Sequence, residues 1–247
     1  MEPLELQHGD LTLRGTRYPG GRAGHVLLAH GFSNNRMGNN RMFVELARAL
    51  AAKGFDVMSF DRAGHGESDG RFFDVNVPDE LEQLSAMCDL APRPVHLVGH
   101  SLGGMESATL AGRRPDRIAS LTLLAPAAAS VDEVADGKIL GRPYGSILAG
   151  EPFDVNGQAI GPAFVRGMKG YDAYAGLSGY RGPVFLHHGE ADEVVSFRYA
   201  ERYREVWPQA RLTSYPGGDH GWQRLPLRER LIETCVREIA EVAAQAS

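Results

Sequence analysis

The 247 residues are 43% hydrophobic and 23% charged, enough apolar content for one sizeable core, and α/β chains of roughly 200–250 residues commonly form a single domain. A net charge of −5 excludes the broad attraction to phosphate or anionic lipid that a nucleic-acid or membrane-surface partner needs. No apolar run approaches the ~20 residues that span a bilayer. The N-terminal stretch MEPLELQHGDLTLRG has no basic region followed by an apolar one, so a cytoplasmic location is expected. Cys88 and Cys235 lie far apart in helix-like surroundings, which predicts half-buried free thiols rather than a disulfide.

Leu4-Glu5-Leu6 and the run Leu11 to Tyr18 alternate apolar with polar around Gly9 and Asp10, the pattern of an antiparallel hairpin at a sheet edge. His25 to His30 is a continuous apolar strand of the kind buried on both faces of a parallel sheet. It ends in His30-Gly31-Phe32 and a polar loop, Ser33 to Asn40. Met42, Phe43, Leu46, Ala47 and Leu50 then recur at helical spacing, and Gly54 stops that helix. Phe55 to Phe60 is the next buried strand and runs into the turn-rich loop DRAGHGESDG, Asp61 to Gly70. Pro78 to Leu90 is a helix, Val95 to His100 a strand, Leu102 to Arg113 a helix and Ile118 to Leu124 a strand. This alternation predicts a mostly parallel sheet with helices on both faces.

From Pro126 to Arg181 the alternation fails. Glycines, prolines and scattered aromatics replace any long periodic run, and an insertion of this length inside a compact domain predicts a lid. The expected organisation is therefore a core of residues 1–125 and 182–247 with a lid insertion over 126–181. The alternation resumes with a strand from Val184 to His188, a helix from Phe197 to Val206, a strand from Arg211 to Tyr215 and a helix from Leu227 to Ala244.

The chemistry centres on Gly99-His100-Ser101-Leu102-Gly103, a G-x-S-x-G pattern with a strand before it and a helix after it. A serine on so sharp a turn stands clear of the sheet edge, and the glycines let neighbouring elements approach. Serine is a poor nucleophile at neutral pH and needs a base, itself oriented by an acid. In this architecture acid and histidine follow the serine in that order, each after a strand. Asp192 lies in Gly189-Glu190-Ala191-Asp192-Glu193 after the Val184 strand, with Glu190, Glu193 and Asp219 as rival acids. His220 lies in the Gly-rich loop after Tyr215. His30 and His100 read as structural groups hydrogen-bonded to loop backbone. His187 and His188 point to opposite faces of a strand. No spacing suggests a metal site, and no cofactor is required. The backbone N–H groups of Phe32 and Leu102 are the natural oxyanion donors.

The motifs HGF, DRAGHGESDG, GHSLGG, LLAPA, HGEADEVV and GGDHGW, in this order, resemble the α/β-hydrolase superfamily and, within it, bacterial cinnamoyl and feruloyl esterases. The resemblance covers nearly the whole chain. It implies the α/β-hydrolase fold, a triad of Ser101, Asp192 and His220, an oxyanion hole from Phe32 and Leu102, and a small-molecule ester of an aromatic acid as substrate. In that family an acid early in the lid and a later tyrosine hold the substrate phenol. Asp132 or Glu133 matches the acid, but the tyrosine position falls on Phe164, leaving Tyr144, Tyr171 or Tyr174 as substitutes. Phe153, Phe164, Tyr171 and Tyr174 are expected to line an aromatic acyl pocket. A thioesterase, lipase-like, amide or C–C bond hydrolase would use the same triad; a non-catalytic binding module of this fold usually lacks one of the three. The oligomeric state is open in the sequence, a homodimer included.

Overall fold

The computed structural model describes residues 1–245. The elements follow in chain order: β1 (Glu2–His8), β2 (Leu11–Tyr18), β3 (Gly24–Ala29), α1 (Met42–Ala52), β4 (Phe55–Phe60), α2 (Val77–Asp89), β5 (Val95–His100), α3 (Leu102–Arg113) and β6 (Ile118–Leu124). The insertion carries α4 (Ala129–Ala135), β7 (Lys138–Ile139), β8 (Arg142–Pro143), β9 (Phe153–Val155), β10 (Gln158–Ile160) and α5 (Pro162–Met168). The chain then returns through β11 (Val184–Gly189), α6 (Arg198–Val206), β12 (Arg211–Tyr215) and α7 (Leu225–Gln245). The expected strands and helices of the core are all present, with ends displaced by a residue or two where caps decide. Asn76, for example, starts α2 one residue before Pro78 by accepting the Asp79 amide on its side chain at 3.1 Å.

Eight strands form one sheet in the order β1-β2-β4-β3-β5-β6-β11-β12. The first hairpin is antiparallel, with Leu4 opposite Gly15, and β2 joins β4 antiparallel. From β4 to β12 every pairing is parallel. Successive side chains of a strand point to opposite faces, so each inner strand must be apolar throughout when both faces are covered. Leu27 and Leu97 accordingly pack with α2 and α3, whereas Val26, Leu28 and Val98 pack beneath α1 and α7. The chain leaves β3 toward β4 on one side and leaves β5 toward β6 on the other. The carboxyl ends of β3 and β5 therefore form the topological switch point, where the diverging connections open a crevice.

The insertion is not structureless. Its helices and hairpins are two to seven residues long, too short for a periodic pattern to show. It covers the outer side of α3, which is consequently buried from Leu102 to Ala111. Cys88 and Cys235 are free but fully buried at 1% and 0% exposure, rather than half-buried, because each sits on the inner face of its helix. Burial pushes the Cys88 thiol up to about 12. Among the described residues no helix is long and apolar enough to cross a membrane.

Several histidines are buried within the sheet and its loops, where burial disfavours their protonated form. Burial pushes His96 down to about 4 and His100 down to about 3 from an ordinary 6.5, and pushes His30 and His65 below that value as well. Below pH 6.5 the unfolded chain takes up protons on these rings that the folded chain refuses, so stability should fall as pH drops from 6.5 toward 4. Each such ring contributes a slope of up to roughly 1.4 kcal/mol per pH unit. Glu106, whose carboxyl is held by burial well above its ordinary 4.5, takes up its proton earlier in the folded chain and opposes the trend above that pH but is outnumbered. His187, held above its ordinary value by Cys235 and Glu238 despite burial, acts only above pH 6.5. Calorimetric Tm should decline steadily over this window; a flat Tm from pH 7 to 4.5 would contradict the account.

Candidate active site

Ser101 stands between the end of β5 and the first residue of α3 with φ 56° and ψ −121°, a conformation that non-glycine residues rarely hold. Two glycines make it feasible. A Cβ at Gly99 would fall 2.4 Å from both the Gly103 carbonyl oxygen and the Ser107 hydroxyl, and one at Gly103 would fall 2.2 Å from the His30 carbonyl oxygen. Larger residues would force β5, α3 and β3 apart at this point. The turn is fastened from outside as well: the Ser101 amide donates to the Leu124 carbonyl at 2.9 Å, and the Ser101 carbonyl accepts the Ala127 amide at 2.9 Å.

His220, in the loop after β12, places Nε2 at 2.9 Å from the Ser101 hydroxyl and Nδ1 at 2.8 Å from Oδ2 of Asp192. Asp192, in the loop after β11, also accepts the Val194 and Val195 amides on Oδ1 at 2.9 and 2.7 Å. Burial alone would raise the Asp192 carboxyl. The hydrogen bonds from His188 and His220 and the Val195 amide outweigh that and hold it well below the usual carboxylate range. An ionised Asp192 can only accept, so His220 carries its proton on Nδ1 and turns an Nε2 lone pair toward the serine hydroxyl. This geometry allows the Ser101 proton to pass to the ring as the oxygen attacks. The rival acids are elsewhere: Asp219 accepts the Gln223 amide, and neither Glu190 nor Glu193 reaches the ring.

Two further histidines adjoin this relay, and His100 bonds loop backbone as its reading as a structural group expects. His188 presents Nε2 at 3.3 Å from Oδ2 of Asp192 and at 2.8 Å from the Val195 carbonyl; its position at the end of β11, four residues before the acid, was the available signal. His100 presents Nε2 at 2.9 Å from the His220 carbonyl, anchoring the loop that carries the ring. The backbone amides of Phe32 and Leu102 have no hydrogen-bond partner among the described residues, and both residues flank the serine. Leu102 begins α3, so its N–H stands at the positive end of the helix.

The cleft over Ser101 has a volume of about 350 Å³. Apart from the serine and the histidines 100 and 220, its walls are Gly31, Phe32, Leu140 and Val194 with the polar side chains of Ser33, Asn34, Asn39 and Asn156. These uncharged hydrogen-bonding groups had no motif to reveal them. The residues expected to hold a substrate phenol are placed otherwise. The Tyr144 hydroxyl donates to the Val134 carbonyl at 2.8 Å, the Tyr171 hydroxyl pairs with Thr109 at 2.6 Å, and Tyr174 packs against Tyr203. Asp132 accepts the Tyr199 hydroxyl at 2.7 Å and faces Arg202, while Glu133 accepts the Leu140 and Gly141 amides. Phe164 stacks on Phe32 with centroids 4.8 Å apart and is 3% exposed. Phe153 lies under the Arg142 guanidinium. None of these seven residues lines the cleft. The expectation that they do is corrected: their side chains tie the insertion to itself, to α3 and to α6. Among the described residues no group of three or more His, Cys, Asp or Glu side chains is placed to hold a metal ion.

Residues 24–159 match the family described as alpha/beta hydrolase fold. The structure of ferulic acid bound to Est1E from Butyrivibrio proteoclasticus superposes with a TM-score of 0.89 at 22% identity, covering 98% of this chain and 99% of that one. Human monoglyceride lipase is 33% identical over 107 residues, 41% of this chain and 34% of its own. The non-heme chloroperoxidase CPO-A1 of Kitasatospora aureofaciens is 26% identical over 249 residues, 83% of this chain and 88% of its own. The curated relatives at 33% identity are thus matched over little more than a third of their length. A matched span that runs from β3 through the serine turn to the insertion agrees with the strand order and with a site at the switch point: the chain belongs to the α/β-hydrolase family.

Proposed function

We propose that this protein is a serine carboxylester hydrolase. The observation that carries the reading is the unbroken relay from Asp192 through His220 to Ser101, with the amides of Phe32 and Leu102 unengaged beside it. Ser101 attacks the ester carbonyl while His220 takes its proton, and the two amides hold the oxyanion. His220 returns the proton to the departing alcohol. Water, activated by the same ring, then releases the acid from Ser101. Leu140 and Asn156 of the insertion reach the cleft, which supports its action as a lid over the serine.

For the acyl group we propose an aromatic acid. Support comes from the likeness to Est1E, whose structure holds ferulic acid, and from the Phe32 ring at the cleft wall. The carboxylates and hydroxyls that would recognise a phenol are engaged elsewhere. A substrate hydroxyl should therefore gain little, since an unmade buried hydrogen bond costs roughly 1–3 kcal/mol. The test is kcat/KM for methyl ferulate, methyl cinnamate, methyl hexanoate, a monoacylglycerol, an acyl thioester and a β-diketone. Ferulate and cinnamate should lie within a few-fold of each other and above hexanoate. A clear preference for hexanoate or the monoacylglycerol overturns the aromatic reading and leaves the ester chemistry. A preference for the thioester or the diketone overturns the ester chemistry itself.

A further inference from the structure

In the loop after β3 the Gly31 carbonyl faces a buried histidine and, at 3.4 Å, the Asn34 amide. His30 is 1% exposed, and its ring spans two backbone groups: Nε2 accepts the Arg62 amide at 3.1 Å, and Nδ1 lies 2.8 Å from the Gly31 carbonyl oxygen. The first bond fixes the tautomer. A backbone N–H can only donate, so Nε2 must be bare, and the one ring proton sits on Nδ1, where it donates to Gly31. The Arg62 guanidinium, 3.4 Å from Nδ1, is then a close neighbour and not a partner, because neither side of that contact can accept. Its charge, after burial itself, keeps the ring neutral.

The Gly31 carbonyl and the Phe32 N–H belong to one peptide group. Whatever holds the carbonyl also sets the plane in which the N–H points. A carbonyl that accepts a hydrogen bond also polarises its own peptide, which strengthens the N–H on the far side. We propose that His30 is a positioning residue for the oxyanion hole: its Nδ1–H fixes and polarises the Gly31–Phe32 peptide so that the Phe32 N–H faces the developing oxyanion. The inference rests on the serine-hydrolase reading above.

The other end of the link is built for rigidity. Arg62 is 1% exposed; Nε bonds Glu80 at 2.6 Å and Nη1 bonds Glu106 at 2.8 Å, while the next amide, Ala63, donates to Gln83 at 2.8 Å. Burial pushes Glu106 well above the carboxyl range, Arg62 opposing and Glu80 reinforcing the shift. Both glutamates come from helices, α2 and α3. The Arg62 amide that holds His30 is thus referenced to the helix that begins at Leu102, and the two oxyanion donors share one rigid support. Donors that need no rearrangement at the moment of reaction are what such a site requires.

The test compares the parent protein, His30→Phe and His30→Asn for kcat, KM and Tm on methyl cinnamate. Removing one oxyanion donor outright costs about 10²–10³-fold in kcat; freeing its peptide should cost about 10- to 100-fold, with KM nearly unchanged. Asparagine can place Nδ2 where Nδ1 stood, so His30→Asn should recover most of the lost kcat even if its Tm falls as far as that of His30→Phe. Nitrogen-15 spectra of histidine-labelled protein should show the His30 proton on Nδ1. Three results overturn the proposal: a folded His30→Phe with kcat within twofold of the parent, a His30→Asn that loses as much kcat as His30→Phe, or a proton on Nε2. Failure of the underlying reading is seen separately, as hydrolysis that persists in Ser101→Ala, and the tautomer result stands whatever the substrate.

Discussion

Replacing Ser101 by alanine is expected to lower kcat for ester hydrolysis by about 10⁴-fold or more, leaving the residue of catalysis that the oxyanion donors and binding supply. Among the described residues no other hydroxyl is offered to His220 Nε2, whose partner at 2.9 Å is the Ser101 hydroxyl. The change should spare the fold. The strained turn is secured by main-chain bonds to Leu124 and Ala127, and the group lost is a single hydroxyl at a cleft wall. Tm should hold or rise, since alanine removes a polar group without opening a core cavity. Hydrolysis at a near-parental rate in the folded variant would move the nucleophile elsewhere.

Asp192→Asn is expected to cost several orders of magnitude in kcat, about 10⁴-fold for a carboxylate in this role, and the structure gives the reason. The amides of Val194 and Val195 both donate to Oδ1. An asparagine must therefore keep its oxygen on that side and turn its NH₂ toward His220 and His188. A donor facing Nδ1 forces the His220 proton onto Nε2, where it confronts the serine hydroxyl and removes the lone pair that would accept its proton. The loop should keep its shape, so the loss falls on kcat more than on KM. Glu190→Gln and Glu193→Gln, which alter neighbouring acids outside the relay, should remain near the parental rate. A crippled Glu190→Gln beside an active Asp192→Asn would reverse the assignment of the acid.

The rates in these two experiments depend on loops that sit far apart in the chain, and here local and global information divide. Continuous apolar runs such as Val26 to Ala29 reveal inner strands because a sheet covered on both faces has no polar side to alternate with. The G-x-S-x-G turn is legible because its requirement is local: close approach at Gly99 and Gly103 and a strained residue between them. The order of acid and histidine after successive strands follows from a parallel sheet whose loops all emerge at one end.

Other features were decided only in the tertiary structure. Tyr144, Tyr171 and Tyr174 sit in an insertion with no periodic pattern, and whether each faces a cleft or a helix depends on the surfaces opposite. Those surfaces are supplied by Val134, Thr109 and Tyr203. The amide-lined cleft joins Asn34 and Asn39 with Asn156, more than a hundred residues further along the chain. The pairing of Arg62 with Glu80 and Glu106 likewise joins one loop to two helices. Backbone periodicity and motif spacing are properties of a few consecutive residues, so the sequence by itself determined the sheet, its helices and the three groups of the relay. The direction of a loop side chain is set by partners brought across the fold, and that was decided only when the chain closed on itself.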